Sequence, residues 1–333
     1  MKLIRFPLLA LLLVLMLAAC GGTAAPSPPA SAKPSSQASS AALRKAIFAT
    51  PSSDFTGFPS AVARDQGFFR QHGLDMSVQL MQSPATMAAL QAGELQFTSS
   101  TGTSVRSAAQ GLPIRVIAHV QTEPFSFVTR PEVPTIAALK GKRVGFNAIG
   151  GDDYVYTLAA LKSAQLTPQD VEMLSVGSTA EIDKALLSGQ LAGGVMGPPF
   201  VQQVAQLGFH VHTGPDLLLL PSGGLATSVQ VLQKDPQLVR DTLAAILDAI
   251  VWTRSNPDQA RAYFIKQFNL PPDIIKPAYE QMMSSLRFNF SDSDLQAAID
   301  RALSQSKTEK KVSVTDVYDL AAFDELVKAK GLR

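Results

Sequence analysis

The chain has 333 residues, of which 46% are hydrophobic and 17% are charged, a composition typical of a globular protein. Its 29 Lys and Arg residues nearly balance its 27 Asp and Glu residues, and the resulting net charge of +2 argues against a nucleic acid partner. The one cysteine, Cys20, lies near the N-terminus, so the rest of the chain can form neither a disulfide framework nor a thiolate site.

The first residues are organised like an export signal. Lys2 and Arg5 precede an apolar run, residues 8–17, that is too short to span a bilayer comfortably. The following Leu-Ala-Ala-Cys-Gly resembles the cleavage box of bacterial lipoproteins, which implies cleavage before Cys20 and lipid attachment to its sulfur. The alternative is an ordinary export signal with a chance cysteine. We therefore predict a lipoprotein signal peptide over residues 1–19 and a lipid anchor with a disordered Pro/Ser/Ala linker over residues 20–41.

The next part of the chain alternates strand-like and helix-like segments. The predicted strands are residues 44–50, 74–80, 95–98 and 114–120. Residues 58–72 predict a helix that Gly73 ends, and Ser83 followed by proline predicts the capped start of a helix that ends at Gly93. This alternation predicts a mostly parallel sheet covered by helices on both faces.

The same arrangement recurs roughly 95 residues further along the chain. Residues 74–97 and 171–196 each read as a strand, a Ser/Thr-containing turn, a helix, a Gly-containing turn and a second strand. We interpret the recurrence as two similar α/β lobes, the alternative being that any two such units look alike. From Asp235 onward the pattern is helical, and we expect these helices to pack on the first lobe, which the chain re-enters near residues 223–230.

Several phrases in this body resemble one family of solute-binding proteins. They are FPSAVARDQGFFRQHGLDM at 58–76, SPAT at 83–86, LQAGE at 90–94, LKGKRVG at 139–145 and GPPF at 197–200. The family serves ABC importers for alkanesulfonates, nitrate and pyrimidine precursors of thiamine. The resemblance implies an α/β, two-lobed periplasmic binding protein type II fold, in which each lobe is a mostly parallel sheet flanked by helices and the ligand lies between the lobes. It assigns residues 42–126 and 224–333, with the helical C-terminal segment, to lobe 1 and residues 127–223 to lobe 2.

Turns rich in glycine and small hydroxyls follow the predicted strands. Ligands of open α/β sheets bind beyond the carboxyl ends of the strands, where helix N-termini offer free N–H donors. Aromatic side chains there can stack on a ligand, and carboxylates favour a ligand with N–H groups, although any of these hydroxyls and carboxylates could instead cap a helix. Few basic residues occur in these turns, which argues against a simple inorganic anion. The predicted ligand-binding residues are Ser52, Ser53, Asp54, Phe55, Ser83, Thr86, Ser99, Ser100, Thr101, Phe125, Gly151, Asp152, Tyr154, Ser178 and Thr179.

No catalytic arrangement accompanies these residues. The sequence has no nucleophile elbow and no P-loop, and His210 and His212 lack a neighbouring carboxylate cluster. The fungal pyrimidine synthases related to this family carry a cysteine-rich motif that is missing here. We therefore expect a monomeric binding protein without enzymatic activity, cofactor or metal.

The resemblance and the N-terminal signal together imply a place and a partner. We expect a protein held by its lipid on a bacterial membrane, in the periplasm or on the outer face of the cell. It would bind a small organic molecule, either an aliphatic sulfonate or a nitrogen heterocycle of the thiamine-precursor kind, and deliver it to an ABC permease and ATPase. An enzyme of pyrimidine or cofactor metabolism and a lipoprotein that presents its ligand to a sensor remain alternatives.

Overall fold

The computed structural model describes residues 42–51, 54–122, 125–212, 221–304 and 311–332. The predicted signal peptide and linker, Cys20, Ser52 and Ser53 lie outside these residues. Residues 41–333 form one compact unit.

The described residues contain ten strands and fourteen α-helices. The strands are β1 (Arg44–Thr50), β2 (Leu74–Leu80), β3 (Phe97–Thr98), β4 (Ile114–Thr122), β5 (Ser126–Thr129), β6 (Arg143–Phe146), β7 (Glu172–Ser175), β8 (Gly193–Met196), β9 (His210–His212) and β10 (Pro221–Ser228). The helices are α1 (Phe58–Asp65), α2 (Phe68–Gln71), α3 (Ser83–Ala92), α4 (Thr101–Ala109), α5 (Asp152–Ser163), α6 (Thr179–Leu187), α7 (Phe200–Gln206), α8 (Val229–Lys234), α9 (Pro236–Ser255), α10 (Pro257–Phe268), α11 (Pro272–Ser285), α12 (Asp292–Leu303), α13 (Val314–Val317) and α14 (Ala321–Ala329).

The strands form two five-stranded sheets with the same layout. The first has the order β2-β1-β3-β10-β4 and the second the order β7-β6-β8-β5-β9. In each sheet one strand, β10 or β5, runs antiparallel to both of its neighbours. We call the first sheet with its helices the first lobe and the second sheet with its helices the second lobe. The prediction of two similar, mostly parallel α/β lobes is confirmed.

The C-terminal helices pack on the first lobe, as predicted. Asp235 caps α9 by accepting a hydrogen bond of 2.8 Å from the backbone N–H of Leu238, and proline occupies the first helical position. Along α9, Leu243, Leu247 and Ile250 are buried in the core that α1 and α2 also line. Among the described residues, no helix combines the length and apolar character needed to cross a bilayer.

Three local predictions need correction. Residues 58–72 form two helices instead of one, because Gly67 between them adopts the left-handed conformation with φ of 78°. Ser83 is the first helical residue of α3 and does not cap it; its hydroxyl donates to Ser100 Oγ at 3.2 Å. The predicted strand over residues 95–98 is limited to Phe97 and Thr98.

Candidate functional site: a cleft between the two lobes

A cleft of about 680 Å³, partly open to solvent, lies between the lobes at the carboxyl ends of their strands. On the first lobe its walls come from the residues after β1 and β3, from the start of α3, and from β10. On the second lobe they come from the residues after β6 and β7 and from the start of α5. This is the position at which open α/β sheets bind their ligands.

Three helices begin at this cleft without a side-chain cap. The capping positions of α3, α4 and α5 are Gln82, Ser100 and Gly151, and none of the three side chains makes a capping hydrogen bond. The positive end of each helix dipole points at the cleft, although the N–H of Thr101 already donates to Ser99 O at 2.8 Å and the Asp153 carboxylate accepts from backbone N–H groups at the start of α5.

Hydroxyl groups on the first lobe are held in place by neighbouring hydroxyls and by a backbone N–H. Ser99 Oγ donates to Thr50 Oγ1 at 3.0 Å, and Thr98 Oγ1 accepts from the backbone N–H of Ser100 at 3.0 Å. Together with the contact between Ser83 and Ser100, these bonds fix the surface that the first lobe presents. A ligand would meet a preorganised set of small polar groups.

The second lobe contributes two adjacent carboxylates. Asp153 is buried and accepts a hydrogen bond from the backbone N–H of Asn147. Burial raises the pKa of Asp153 to about 7, and the neighbouring Asp152 contributes in the same direction. Burial also raises the pKa of Asp152, while Arg301 opposes that shift.

The cleft is acidic and carries an unused acceptor. Among the described residues that line it, the ionisable side chains are those of Asp54, Asp152 and Asp153, without Lys, Arg or His. Asn147 Oδ1 is buried and has no hydrogen-bond partner in the described part of the chain. Phe125, which packs against Gly197, supplies an aromatic surface. These groups suit a ligand with N–H donors better than an anion.

Residues of the two lobes touch at the cleft and at a second place. Arg301 on α12 pairs with Asp152 at 3.3 Å, and a Cβ at Gly102 would overlap the carboxylate of Asp152. A further contact joins Gln202 on α7 to Gln281 on α11 at 2.5 Å. The lobes are therefore held together by specific contacts around the cleft.

Eight of the predicted ligand-binding residues line this cleft. They are Asp54, Ser83, Ser99, Ser100, Thr101, Phe125, Gly151 and Asp152. Most of them come after the carboxyl end of a strand in one of the two sheets. This agrees with the rule used to predict them, that open α/β sheets bind ligands beyond the carboxyl ends of their strands.

Five other predicted residues lie elsewhere for identifiable reasons. Phe55 is buried against Phe264 and Phe268, with ring centroids 4.5 and 4.9 Å away. Tyr154 packs on its own lobe against Phe146, at a centroid distance of 4.9 Å. The remaining three hydroxyls belong to helices: Thr86 donates to Gln82 O at 3.0 Å, Ser178 caps α6 through the N–H of Glu181 at 3.3 Å, and Thr179 is the buried first residue of α6.

The prediction missed several lining residues. Asn147 directly follows β6, so the rule about strand ends could have found it. Ser222 and Gly223 were harder to find, because they belong to the antiparallel strand β10 and follow no strand-to-helix turn. Gly223 has a φ of 52° and lies against Gln121, whose amide a Cβ would overlap.

Two such lobes with a cleft between them form the fold of periplasmic binding proteins. A family model described as NMT1/THI5 like matches residues 53–260, and the chain belongs to that family. The family predicted from the sequence is thereby confirmed. The alkanesulfonate-binding protein SsuA from Xanthomonas axonopodis pv. citri, bound to MOPS, superposes with a TM-score of 0.70 at 17% identity, over 84% of this chain and 98% of that chain.

Curated relatives are similar over a shorter range. The riboflavin-binding protein RibY of Chloroflexus aurantiacus is 26% identical over 215 residues, which is 61% of this chain and 60% of that protein. A 4-amino-5-hydroxymethyl-2-methylpyrimidine phosphate synthase of Saccharomyces cerevisiae is 24% identical over 229 residues, 62% of this chain and 66% of that one. The chain thus spans less than two thirds of the length of either relative.

Proposed function

We propose that this protein is the extracytoplasmic solute-binding component of an ABC importer, and that its ligand is a small nitrogen heterocycle. The observation that carries the ligand class is the cleft itself: among its described lining residues the ionisable side chains are all aspartates, of which Asp152 is paired with Arg301, and Asn147 offers a free acceptor. A buried sulfonate or nitrate would need cationic partners or a dense set of donors to offset its desolvation, and carboxylates would repel it. A riboflavin-binding relative supports the heterocycle.

The arrangement of the two lobes supports capture without turnover. A solute that contacts both lobes makes more contacts when they close, so its binding shifts the equilibrium towards the closed form. The closed form would then be the one that a permease and its ATPase recognise. Attachment through lipid on Cys20 would keep the protein beside them. Replacing Cys20 by Ser should release the protein from the membrane fraction of cells, and retention there would contradict the anchor.

A thermal-shift screen of the purified protein tests the ligand class. Riboflavin, 4-amino-5-hydroxymethyl-2-methylpyrimidine, an alkanesulfonate and nitrate form its four arms. A ligand at about 100 times its Kd stabilises the folded state by about 2.7 kcal/mol, which gives a clear rise in Tm. We expect a rise with at least one heterocycle and none with sulfonate or nitrate. Stabilisation by the anions alone, or by no arm, would contradict the proposed ligand class.

The synthase relative makes an enzyme the second candidate. The buried Asp153, whose pKa of about 7 would suit a general acid or base, is the observation that favours it. Mass spectrometry of the stabilising heterocycle after prolonged incubation with the protein separates the two functions. Unchanged heterocycle supports capture alone, whereas the appearance of a product would establish turnover.

A further inference from the structure

A second cavity lies on the first lobe, outside the interlobe cleft. It has a volume of about 590 Å³, partly open to solvent, and its walls come from the end of β2, from α1 and from α10. We call it the lobe-1 pocket. All of its described lining residues belong to the first lobe, and Asp54 is the one residue that also lines the cleft.

The inner wall of the lobe-1 pocket is aromatic. Phe58, Phe264 and Phe268 form part of a ring cluster in which Phe58 and Phe264 meet edge to face at 6.0 Å, and Phe264 and Phe268 stack at 6.1 Å. Tyr263 extends the cluster, with its ring 5.2 Å from that of Phe264. Such a wall can take one more ring in an edge-to-face or offset arrangement.

The mouth of the pocket is also apolar. Val78 is half-buried there, and Leu80 is 66% exposed, one of the most exposed large hydrophobic side chains among the described residues. An exposed leucine at the rim of an aromatic cavity gains apolar burial when the cavity is filled.

The cation that lines the pocket, Arg64, is already paired with a carboxylate. Arg64 donates to both carboxylate oxygens of Asp65, at 2.6 and 3.0 Å, and Asp65 also accepts from the hydroxyl of Tyr263 at 2.7 Å. The guanidinium is therefore committed to a neighbouring acid and offers no uncompensated positive charge to a ligand. The amide of Gln267 remains at the edge of the cavity as a polar group that can orient a ligand.

We propose that the lobe-1 pocket is a second binding site, which takes an uncharged, flat aromatic or heteroaromatic molecule. The site differs from the cleft in that it needs one lobe only, so its occupation does not depend on lobe closure. Its ligand would stack on the α10 aromatic cluster and cover Leu80.

Indole, an uncharged flat heteroaromatic, serves as the probe in an NMR titration of methyl-labelled protein. We expect saturable shift changes at the methyl groups of Val78, Leu80 and Ala61, and smaller ones at Ala148, which lines the cleft. Absence of a saturable change at Val78 and Leu80, or changes confined to Ala148, would overturn the proposal.

A variant that fills the pocket gives the matched test. Ala61 is a partly buried lining residue on α1, and in Ala61→Phe the new ring would occupy the space of the probe. We expect indole binding to weaken by at least about tenfold, since packed atoms exclude one another, and to stay unchanged in Ala88→Phe, on the exposed face of α3. Unaltered binding in Ala61→Phe would overturn the proposal. If that variant does not fold, Leu80→Trp at the exposed mouth decides: a changed affinity read at Val78 supports the site, and an equal affinity rejects it.

Discussion

The interlobe cleft and the lobe-1 pocket are adjacent cavities that share Asp54 but differ in nearly every other respect. The cleft is polar and acidic, and its walls come from both lobes, so it is complete only when the lobes are together. The pocket has an aromatic inner wall, its cation Arg64 is paired with Asp65, and its described walls come from one lobe. Changes that disturb closure should therefore affect the cleft and leave the pocket unaltered.

The largest effect is expected for Gly102→Val. Gly102 lies on α4 against the carboxylate of Asp152. The side chain of a valine at this position would overlap that carboxylate and prevent the lobes from closing fully. We predict a loss of cleft affinity on the order of 100-fold, or about 2.7 kcal/mol, by isothermal titration with the stabilising heterocycle. Indole binding to the lobe-1 pocket should not change. Equal loss at both cavities would mean that the variant is misfolded and that the closure argument is unsupported.

A smaller loss is expected when the ion pair between the lobes is broken. The side chains of Arg301 and Asp152 are 12% and 20% exposed, so Arg301→Met leaves a mostly buried carboxylate without its partner. Truncating such a pair costs upwards of about 2 kcal/mol, and we predict a roughly 30-fold weaker cleft affinity. Arg287→Met is the control, because Arg287 pairs with Asp294 within the first lobe at 2.9 Å. A similar loss in both variants would exclude a specific role for the pair between the lobes.

The third prediction concerns pH. Because burial raises the pKa of Asp153 to about 7, its carboxylate is mostly protonated at pH 6 and mostly ionised at pH 8. A ligand that donates N–H to this carboxylate should bind about tenfold more tightly at pH 8 than at pH 6, and Asp153→Asn should remove the dependence. The affinity of the lobe-1 pocket for indole should not change between pH 6 and pH 8. A cleft affinity that falls as pH rises would show that Asp153 donates to the ligand.

The free energy of unfolding should depend on the Asp153 carboxyl in the opposite sense and fall as pH rises. The folded protein keeps a proton on Asp153 that the unfolded chain releases near the ordinary aspartate pKa of 3.8. Folded stability from this group is therefore present at low pH and is lost as pH rises from about 4 to about 7. Urea unfolding of Asp153→Asn against the wild type, at pH 5 and pH 8, measures this contribution. A wild type that gains stability over this window relative to the variant would contradict the assigned pKa.

The smallest effect on binding is expected at α6. Ser178 uses its hydroxyl to cap the helix, so Ser178→Ala should lower stability by about 1 kcal/mol and leave both cavities unaffected. Ser175→Ala, which removes an exposed hydroxyl that donates to Asn147 O, is a nearby comparison. A loss of cleft affinity in Ser178→Ala would place this residue in the site after all.

The starts of α4 and α6 show what could and could not be predicted from the sequence. The strand-and-helix alternation and its recurrence were sufficient for the two-lobed fold, and the rule about strand ends located most of the cleft. The same rule could not separate Ser100, whose hydroxyl caps no helix, from Ser178, whose hydroxyl is used within α6. That choice depends on the backbone angles of the turn, which the residue types leave open.

Other features depend on contacts between distant segments. Phe55 resembles Phe125 in the sequence, but α10, about 200 residues away, brings Phe264 and Phe268 to bury it. Likewise Gly223 enters the cleft from the strand that returns the chain to the first lobe. The ion pair between Arg301 and Asp152 joins the C-terminal helices to the second lobe, and no local sequence pattern predicts it.

Small-angle X-ray scattering, with and without the heterocycle that raises the Tm, tests lobe closure most directly. We predict that saturating heterocycle lowers the radius of gyration of the wild type and leaves that of Gly102→Val unchanged. Superimposable wild-type curves, measured where titration shows the site to be full, would contradict capture by closure of one lobe on the other.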